Sequence, residues 1–595
     1  MTARRAAFVA VFGCCLLASA TILAGFAFAT EPAASDRHVA RAPSGSGGSD
    51  SATARACPAR ASTTRPTTAP PPRPRIVGLS PNPTTDDDAG EFVVLETPPD
   101  TRLAELTLTD GHTTAALPNE TVSGRVALST APNVTETLTD TPVLALEGHL
   151  QLANGGDRLR LRNATTTVDA VSYDSAPAAE RWYRTAAADE AIPVTDGRWW
   201  PRDATCLPVS SAAVDEATAF VLPDAPGVPR KTIRSADERL FLAGYTVTSE
   251  AVAADLVDAA ERGVEVKVLL EASPVGGTPA PTAAVLETLA DGGVDVRVIG
   301  GDGARYRYHH PKYAVADDRV LVTTENWKPA GVGGESSRGW GVRLEDEALA
   351  ADLAGVFRAD FEGWDTTASA AYRANTSFVD DDDPVVTARD TAFPTVHEPA
   401  TVPVESAELL VAPDNAEYRL QELLRGADDE ILVVQPSIAT DVSLLESTLE
   451  AARRGVDVRI LLGSTWYNTE ENERLAADLE RLAASDDLSL EVQLVSDTDR
   501  FEKIHAKGIV IDREVAIVGS ANWNENSLEN NREVLVALHG AEIATYYADV
   551  FEADWSGDAW RFPIGLSATV VAALVAAAIV GRRYVRFGGP PSEYT

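Results

Sequence analysis

Two stretches of this chain carry no charge, residues 6–29 after Arg4 and Arg5, and residues 563–581 before Arg582, Arg583 and Arg586. The first has the layout of a secretory signal, a positive flank and an apolar run ending in Ala27-Phe28-Ala29. Its length also suits an uncleaved anchor, so residues 1–30 are read as a signal peptide or an N-terminal anchor. The second stretch is 19 residues long and as a helix spans about 28 Å, close to the hydrocarbon thickness of a bilayer. It reads as a transmembrane helix, with residues 582–595 as a cytoplasmic tail by the positive-inside rule. Residues 31–75 are mostly Ala, Ser, Thr, Gly, Pro and Arg, can bury no core, and form a linker. From 76 to 208 short runs alternate as half-buried strands do, as in Leu106-Thr-Leu-Thr109 and Arg158-Leu-Arg-Leu-Arg162. Several such runs broken by turn residues predict a small β-sandwich.

From there to residue 556 strands alternate with helices, and the pattern is written twice. Ala259-Ala260-Glu-Arg-Gly263-Val-Glu-Val-Lys-Val-Leu-Leu270 matches Ala451-Ala452-Arg-Arg-Gly455-Val-Asp-Val-Arg-Ile-Leu-Leu462. An apolar strand precedes each, at 240–245 and 431–436. Each copy therefore reads strand, helix, glycine turn, strand, which predicts an α/β fold with a central sheet. The halves are placed at 209–375 and 405–556, with 376–404 as a linker.

Charge changes this picture in one respect. The 595 residues carry a net charge of −38, and only six of the 51 basic residues are lysines. Such a composition suits molar salt, where the Debye length is about 3 Å and self-repulsion is screened. The acidity describes the solvent and leaves a polyanionic substrate open. A hydrophobic fraction of 45% excludes wholesale disorder, and 4 Cys exclude a disulfide scaffold. Four of the six lysines, Lys312, Lys328, Lys503 and Lys507, lie in or beside a repeated motif, with Arg305 and Arg307 adding to its first copy.

That motif is His310-Pro311-Lys312 with Asp317, then Thr323-Thr324-Glu325-Asn326-Trp327, and again His505-Ala506-Lys507 with Asp512, then Gly519-Ser520-Ala521-Asn522-Trp523. His and Lys two apart on a strand project from one face. The pair suits a phosphodiester: one neutral imidazole attacks phosphorus and a second, protonated, supplies the leaving oxygen's proton. Lysine and asparagine donors stabilise charge on the nonbridging oxygens. No Cys/His/carboxylate cluster has metal-ligand spacing and no Walker-type loop is present, so no metal or cofactor is expected. His309 lacks the spacing and is set aside.

Two such copies resemble the phospholipase D superfamily over residues 209–556. The resemblance implies a duplicated phospholipase D-like domain, two α/β/α halves sharing one metal-independent active site, with His310, Lys312, Asn326, His505, Lys507, Ser520, Asn522 and Glu533 as its catalytic set. Asp512 is assigned to the strand–turn structure. The first copy departs from the pattern: Thr323-Thr324 replace Gly-Ser, with a threonine hydroxyl expected to donate to phosphate. Gly339 stands where Glu533 would predict an acid, with Glu335 nearby. The family more often draws its nucleophile from the first copy, which assigns attack to His310 and protonation to His505; the intact second copy argues the reverse, with Glu533 orienting His505. The sandwich region resembles the immunoglobulin-like lamin-tail domain, on Ile76-Val-Gly-Leu-Ser-Pro-Asn-Pro, Gly90-Glu-Phe-Val-Val-Leu95, Gly155-Gly-Asp-Arg-Leu-Arg-Leu and Thr167-Val-Asp-Ala-Val-Ser-Tyr173.

The expected function is that of a membrane-anchored, extracytoplasmic phosphodiesterase acting through a phosphohistidine. Nucleic acid is the first expectation for its substrate, because lamin-tail modules accompany extracellular nucleases; phospholipid is the alternative, suggested by the anchor. High salt weakens backbone-driven nucleic-acid binding, so a nuclease would need stacking groups, for which Trp327, Tyr308, Trp523 and Tyr467 are candidates. A surface adhesin or scaffold is the non-enzymatic reading. No oligomer is required, since both half-sites lie in one chain. Cys57 and Cys206 can pair in an oxidising compartment, and Asn119, Asn133, Asn163 and Asn375 stand in glycosylation sequons. The topology has a direct test. Protease added to intact cells should remove residues 31–562 and leave a small membrane-bound remnant; protection of the whole chain would contradict it.

Overall fold

The computed structural model describes residues 71–557, apart from 84, 86–87, 186–193, 196, 302, 381–392 and 496–497. Both uncharged end segments and Cys57 lie outside the described residues. Cys206 is disulfide-bonded, and the chain's other three cysteines also lie outside them. Among the described residues no helix is long and apolar enough to cross a membrane.

The N-terminal region is a two-sheet sandwich. One sheet orders Gly197–Pro201, Glu180–Arg184, Arg75–Ser80, Phe92–Arg102, Thr121–Ser129 and Val143–Ala145; the other orders Glu147–Gly148, Thr114–Ala116, Thr107–Thr109, Asp157–Arg162 and Thr167–Tyr173. The alternation read from the sequence holds: in Asp157–Arg162 the leucines Leu159 and Leu161 are fully buried while their arginine neighbours face outward. They meet Ile76, Val93, Leu95 and Trp182 of the facing sheet in one core.

Each following half is a mixed sheet. In the first, Arg239–Gly244, Glu265–Glu271 and Asp295–Ile299 run parallel, and Tyr313–Ala316, Arg319–Thr323, Ser337–Glu345 and Glu216–Leu222 extend it antiparallel. The second repeats this with Glu430–Gln435, Asp457–Gly463, Leu490–Val495, Gly508–Ile511, Val515–Gly519, Glu533–His539 and Ser406–Ala412. The repeated glycine after Ala-Ala-x-Arg has a steric cause. Gly263 and Gly455 take φ of 94° and 102° behind the helices Glu250–Glu261 and Ser443–Arg454, a left-handed stop that favours glycine.

The boundaries differ from expectation at two edges. Ser210–Ala212, placed in the first half, pairs with Ser406–Ala412 of the second, and Ala400–Pro403, placed in the linker, pairs with Glu216–Leu222 of the first. Each half thus lends the other the strand that precedes its own first strand. An edge strand of three or four residues has too little pattern to announce its partner; only the neighbouring sheet supplies one.

The halves share one core, in which Phe241, Trp340, Val342 and Phe357 meet Val434, Val518, Val534 and Tyr547. Trp340 stacks on Tyr547 with ring centroids 4.7 Å apart, and the Tyr547 hydroxyl donates to the Gly341 carbonyl at 2.6 Å. Two fully buried arginines cross the boundary reciprocally. Arg338 binds Asp224 of its own half at 2.6 Å and Asp554 of the other at 2.9 Å. Arg532 binds Asp414 of its own half at 3.2 Å and Asp360 of the other at 2.9 Å. Removing one such partner strands buried carboxylates. Arg532→Met should therefore cost about 3–5 kcal/mol, while Arg343→Met, which breaks a more exposed pair with Glu345, should cost less than about 1 kcal/mol. Chemical unfolding in high salt measures both; equal costs would refute the interfacial role.

Candidate functional site

Each histidine is set by the other half's arginine residue. His310 N–H donates to the Arg532 carbonyl at 3.0 Å, and His505 N–H donates to the Arg338 carbonyl at 2.9 Å. Because Arg532 is followed by Glu533, the first half's histidine meets the second half's acid: His310 Nδ1 lies 2.9 Å from both carboxylate oxygens of Glu533. Asn531 Nδ2 steadies that carboxylate at 3.1 Å. The expectation that Glu533 orients His505 is thereby corrected. A strand that enters the interface hands its side chains to the opposite half.

His505 has a different carboxylate. Its Nδ1 stands 3.2 Å from Oε2 of Glu325, outside hydrogen-bond alignment, and Glu325 is 2% exposed. Neither Gly339 nor Glu335 plays this part. The lysines lie beneath the histidines, as their spacing of two requires: Lys507 Nζ donates to the His505 carbonyl at 2.7 Å, and Lys312 Nζ to the His310 carbonyl. Both lysine charges bear on both imidazoles, and Lys312 feels Glu533, Lys507 and Glu325 together, so the two motifs form one cluster. Tyr245, which the sequence did not single out, packs edge-on to His310 with centroids 4.7 Å apart, and Lys312 Nζ sits 5.2 Å from its ring centre.

Burial dominates the electrostatics. It lowers both imidazoles to about 4, with Glu533 opposing the shift at His310, and Lys507 reinforcing while Glu325 opposes it at His505. Burial also lowers Lys507 to about 8, against the pull of Glu325 and Glu533, and holds Lys312 well below the usual lysine range. Burial works to raise Glu533, but His310 and Lys312 outweigh it and keep the carboxylate ionised.

The remaining candidates divide. Asn326 and Asn522 are half-buried, each one residue before a core tryptophan, and Asn326 Oδ1 has no partner. The Ser520 hydroxyl accepts from Val534 N–H at 3.1 Å, and Thr324 takes the same position with Trp340 N–H at 3.0 Å. Thr324, 0% exposed, accepts that bond from the next strand, and the Thr323 hydroxyl donates to the Trp340 carbonyl at 3.2 Å. Asp317 and Asp512 each accept three backbone N–H groups at the far turn, the structural role expected of Asp512. Arg305 is spent on Asp365 and two carbonyls, and His309 is sealed near Asp360. Trp327 and Trp523 are 0% and 2% exposed and belong to the cores, so they offer no stacking face; Tyr467 is 55% exposed beside Trp466. Among the described residues no three His, Cys, Asp or Glu side chains converge as metal ligands would.

Residues 230–361 and 420–555 match the family described as "Cardiolipin synthase, PLD-like domain". Cardiolipin synthase A of Pseudomonas aeruginosa (strain PAO1) is 27% identical over 135 residues, 23% of this chain and 26% of that protein. The probable cardiolipin synthase YwiE of Bacillus subtilis (strain 168) is 24% identical over 361 residues, 56% of this chain and 65% of that protein. The chain thus spans about a quarter of one relative's length and under two thirds of the other's. Among solved structures, phosphatidylserine synthase of Haemophilus influenzae Rd KW20 aligns over 58% of this chain and 87% of its own, with 14% identity and a TM-score of 0.44. The family and sequence matches support placing the duplicated region in the phospholipase D superfamily.

The electrostatics make a prediction with a definite sign. Folded, both imidazoles stay neutral down to about pH 4, whereas unfolded they take up protons near 6.5. Between those values the unfolded chain binds more protons, so stability is full above about pH 6.5 and falls as the pH drops towards 4. Imidazole NMR should place both midpoints near 4, and the stability lost over that window should shrink in the His310→Ala/His505→Ala variant. Midpoints near 6.5 would contradict the burial.

Proposed function

We propose, for a chain whose duplicated region is of the phospholipase D superfamily, that it hydrolyses or transfers a phosphodiester through a phosphohistidine formed on His310. One observation carries this reading: each half supplies a histidine, a lysine and a carboxylate to a single cluster, and each histidine's Nδ1 faces a carboxylate of the other half. With Nδ1–H held by Glu533, the Nε2 lone pair of His310 is free to attack phosphorus. The bond to the leaving oxygen breaks as the Nε2 proton of His505 passes to that oxygen. The entering phosphate anion favours the protonated form of His505, which burial otherwise disfavours. Lys312 and Lys507 offset charge on the nonbridging oxygens, and the amides of Asn326 and Asn522 donate hydrogen bonds to them. In the second half-reaction water or an alcohol attacks phosphorus, its proton passes to His505, and the phosphorus–nitrogen bond breaks. Glu533 supports this division of labour, because its two contacts with His310 are shorter and better aligned than that of Glu325 with His505.

A phospholipid is the substrate class this reading favours, with an alcohol of a second lipid as acceptor. The names of the matched family and relatives support it, and so does the loss of Trp327 and Trp523 as stacking groups. A nuclease is the second reading, favoured by the exposed Trp466 and Tyr467. In either case residues 563–581 would anchor the chain with its catalytic region outside the cell, and the lamin-tail-like sandwich would bind or space.

His310→Ala and His505→Ala should each lower turnover of bis(p-nitrophenyl) phosphate, with EDTA in high salt, by about three orders of magnitude or more, and the double variant should be little worse. Acid-stable phosphopeptide mapping is unsuitable for a phosphohistidine, so a denaturant quench at neutral pH should locate the label on the 310 peptide. Label on the 505 peptide reverses the roles, and full activity after either substitution sinks the mechanism. Phospholipid, DNA and RNA offered side by side decide the substrate.

A further inference from the structure

The first half lacks an acid on the strand that should carry it, yet its site contains one. Register fixes the equivalence: Leu222 pairs with Gly339 as Ala412 pairs with Glu533, each just after a buried arginine. The residue before the motif asparagine is Ala521 in the second half and Glu325 in the first. The two halves have therefore exchanged a small residue and an acid between the same two positions. Space confirms the exchange. A Cβ on Gly339 would lie 2.3 Å from Cγ of Glu325 and 2.7 Å from its Oε1, so the volume left empty on the strand is the volume the Glu325 side chain fills.

Glu325 has no structural employment of the kind given to the other buried acids. Asp224, Asp360, Asp414 and Asp554 are each held by a buried arginine. Oε1 of Glu325 is buried without a hydrogen-bond partner, and Oε2 faces Nδ1 of His505. A buried acid without such a partner, facing a histidine, points to a functional role.

Resting on the phosphodiester reading above, we propose that Glu325 is the positioning residue of His505, a carboxylate moved from the strand to the turn beside Asn326. Its Oε2 faces Nδ1 at 3.2 Å, leaves Nε2 facing the leaving group, and stabilises the imidazolium that delivers the proton. Because it shares a turn with Asn326, it couples the orientation of His505 to that of a phosphate-contacting amide.

The test uses the full chain with Glu325→Gln, Glu325→Ala and Glu325→Ala/Gly339→Glu. Glu325→Ala should lower kcat on bis(p-nitrophenyl) phosphate by about 100-fold with KM little changed, and returning the acid to the strand in the double variant should recover at least about 10-fold of that loss. Independently of turnover, the imidazole NMR titration of His505 should shift to lower pH in Glu325→Gln, while that of His310 stays. An unmoved His505 titration, or wild-type kcat in Glu325→Ala, overturns the proposal. A wild-type protein without turnover on any phosphodiester would remove the underlying reading, and the His505 titration would still decide the role of Glu325.

Discussion

The site depends on two arginines that no solvent reaches. Arg338 and Arg532 each bridge an aspartate of their own half and one of the other, and each offers its carbonyl to the opposite histidine's N–H. A buried charge is tolerable only with its partners in place, and here one aspartate of each pair arrives only when the halves have docked. Docking, histidine placement and the arrival of Glu533 at His310 are therefore one event. The exchange of the edge strands Ser210–Ala212 and Ala400–Pro403 reinforces the same boundary with backbone hydrogen bonds.

The two halves reach equivalent geometry by unequal means. In the second, glycine and acid sit where the motif puts them. In the first, Thr324 replaces Ser520 in bonding the next strand, and Glu325 fills the space over Gly339. What is kept is a pattern of volumes and one carboxylate per histidine; which strand supplies each is free to vary. An inequality remains, since Glu533 grips His310 more closely than Glu325 grips His505.

In a chain of net charge −38, the cluster gathers two lysines and two histidines into one partly buried site. Burial penalises those positive charges, and the two carboxylates moderate the penalty without cancelling it.

The sequence alone determined the duplication, the alternation of strands and helices, and the histidines and lysines of the site. These are properties of local period: His and Lys two apart on a strand must share a face, and a glycine behind each helix must stop it. It also showed that the first motif lacked an acid and named Glu533 as one of the second. Only the tertiary structure decided which histidine each acid serves, because strands at the interface deliver their side chains across it. It alone turned Trp327 and Trp523 into core, spent Arg305 on Asp365, and assigned the short edge strands to the opposite sheets. Glu325 was visible in Thr323-Thr324-Glu325-Asn326 but had no reading there, since its meaning lies in the space above Gly339, a residue that reaches it only through the register of adjacent strands.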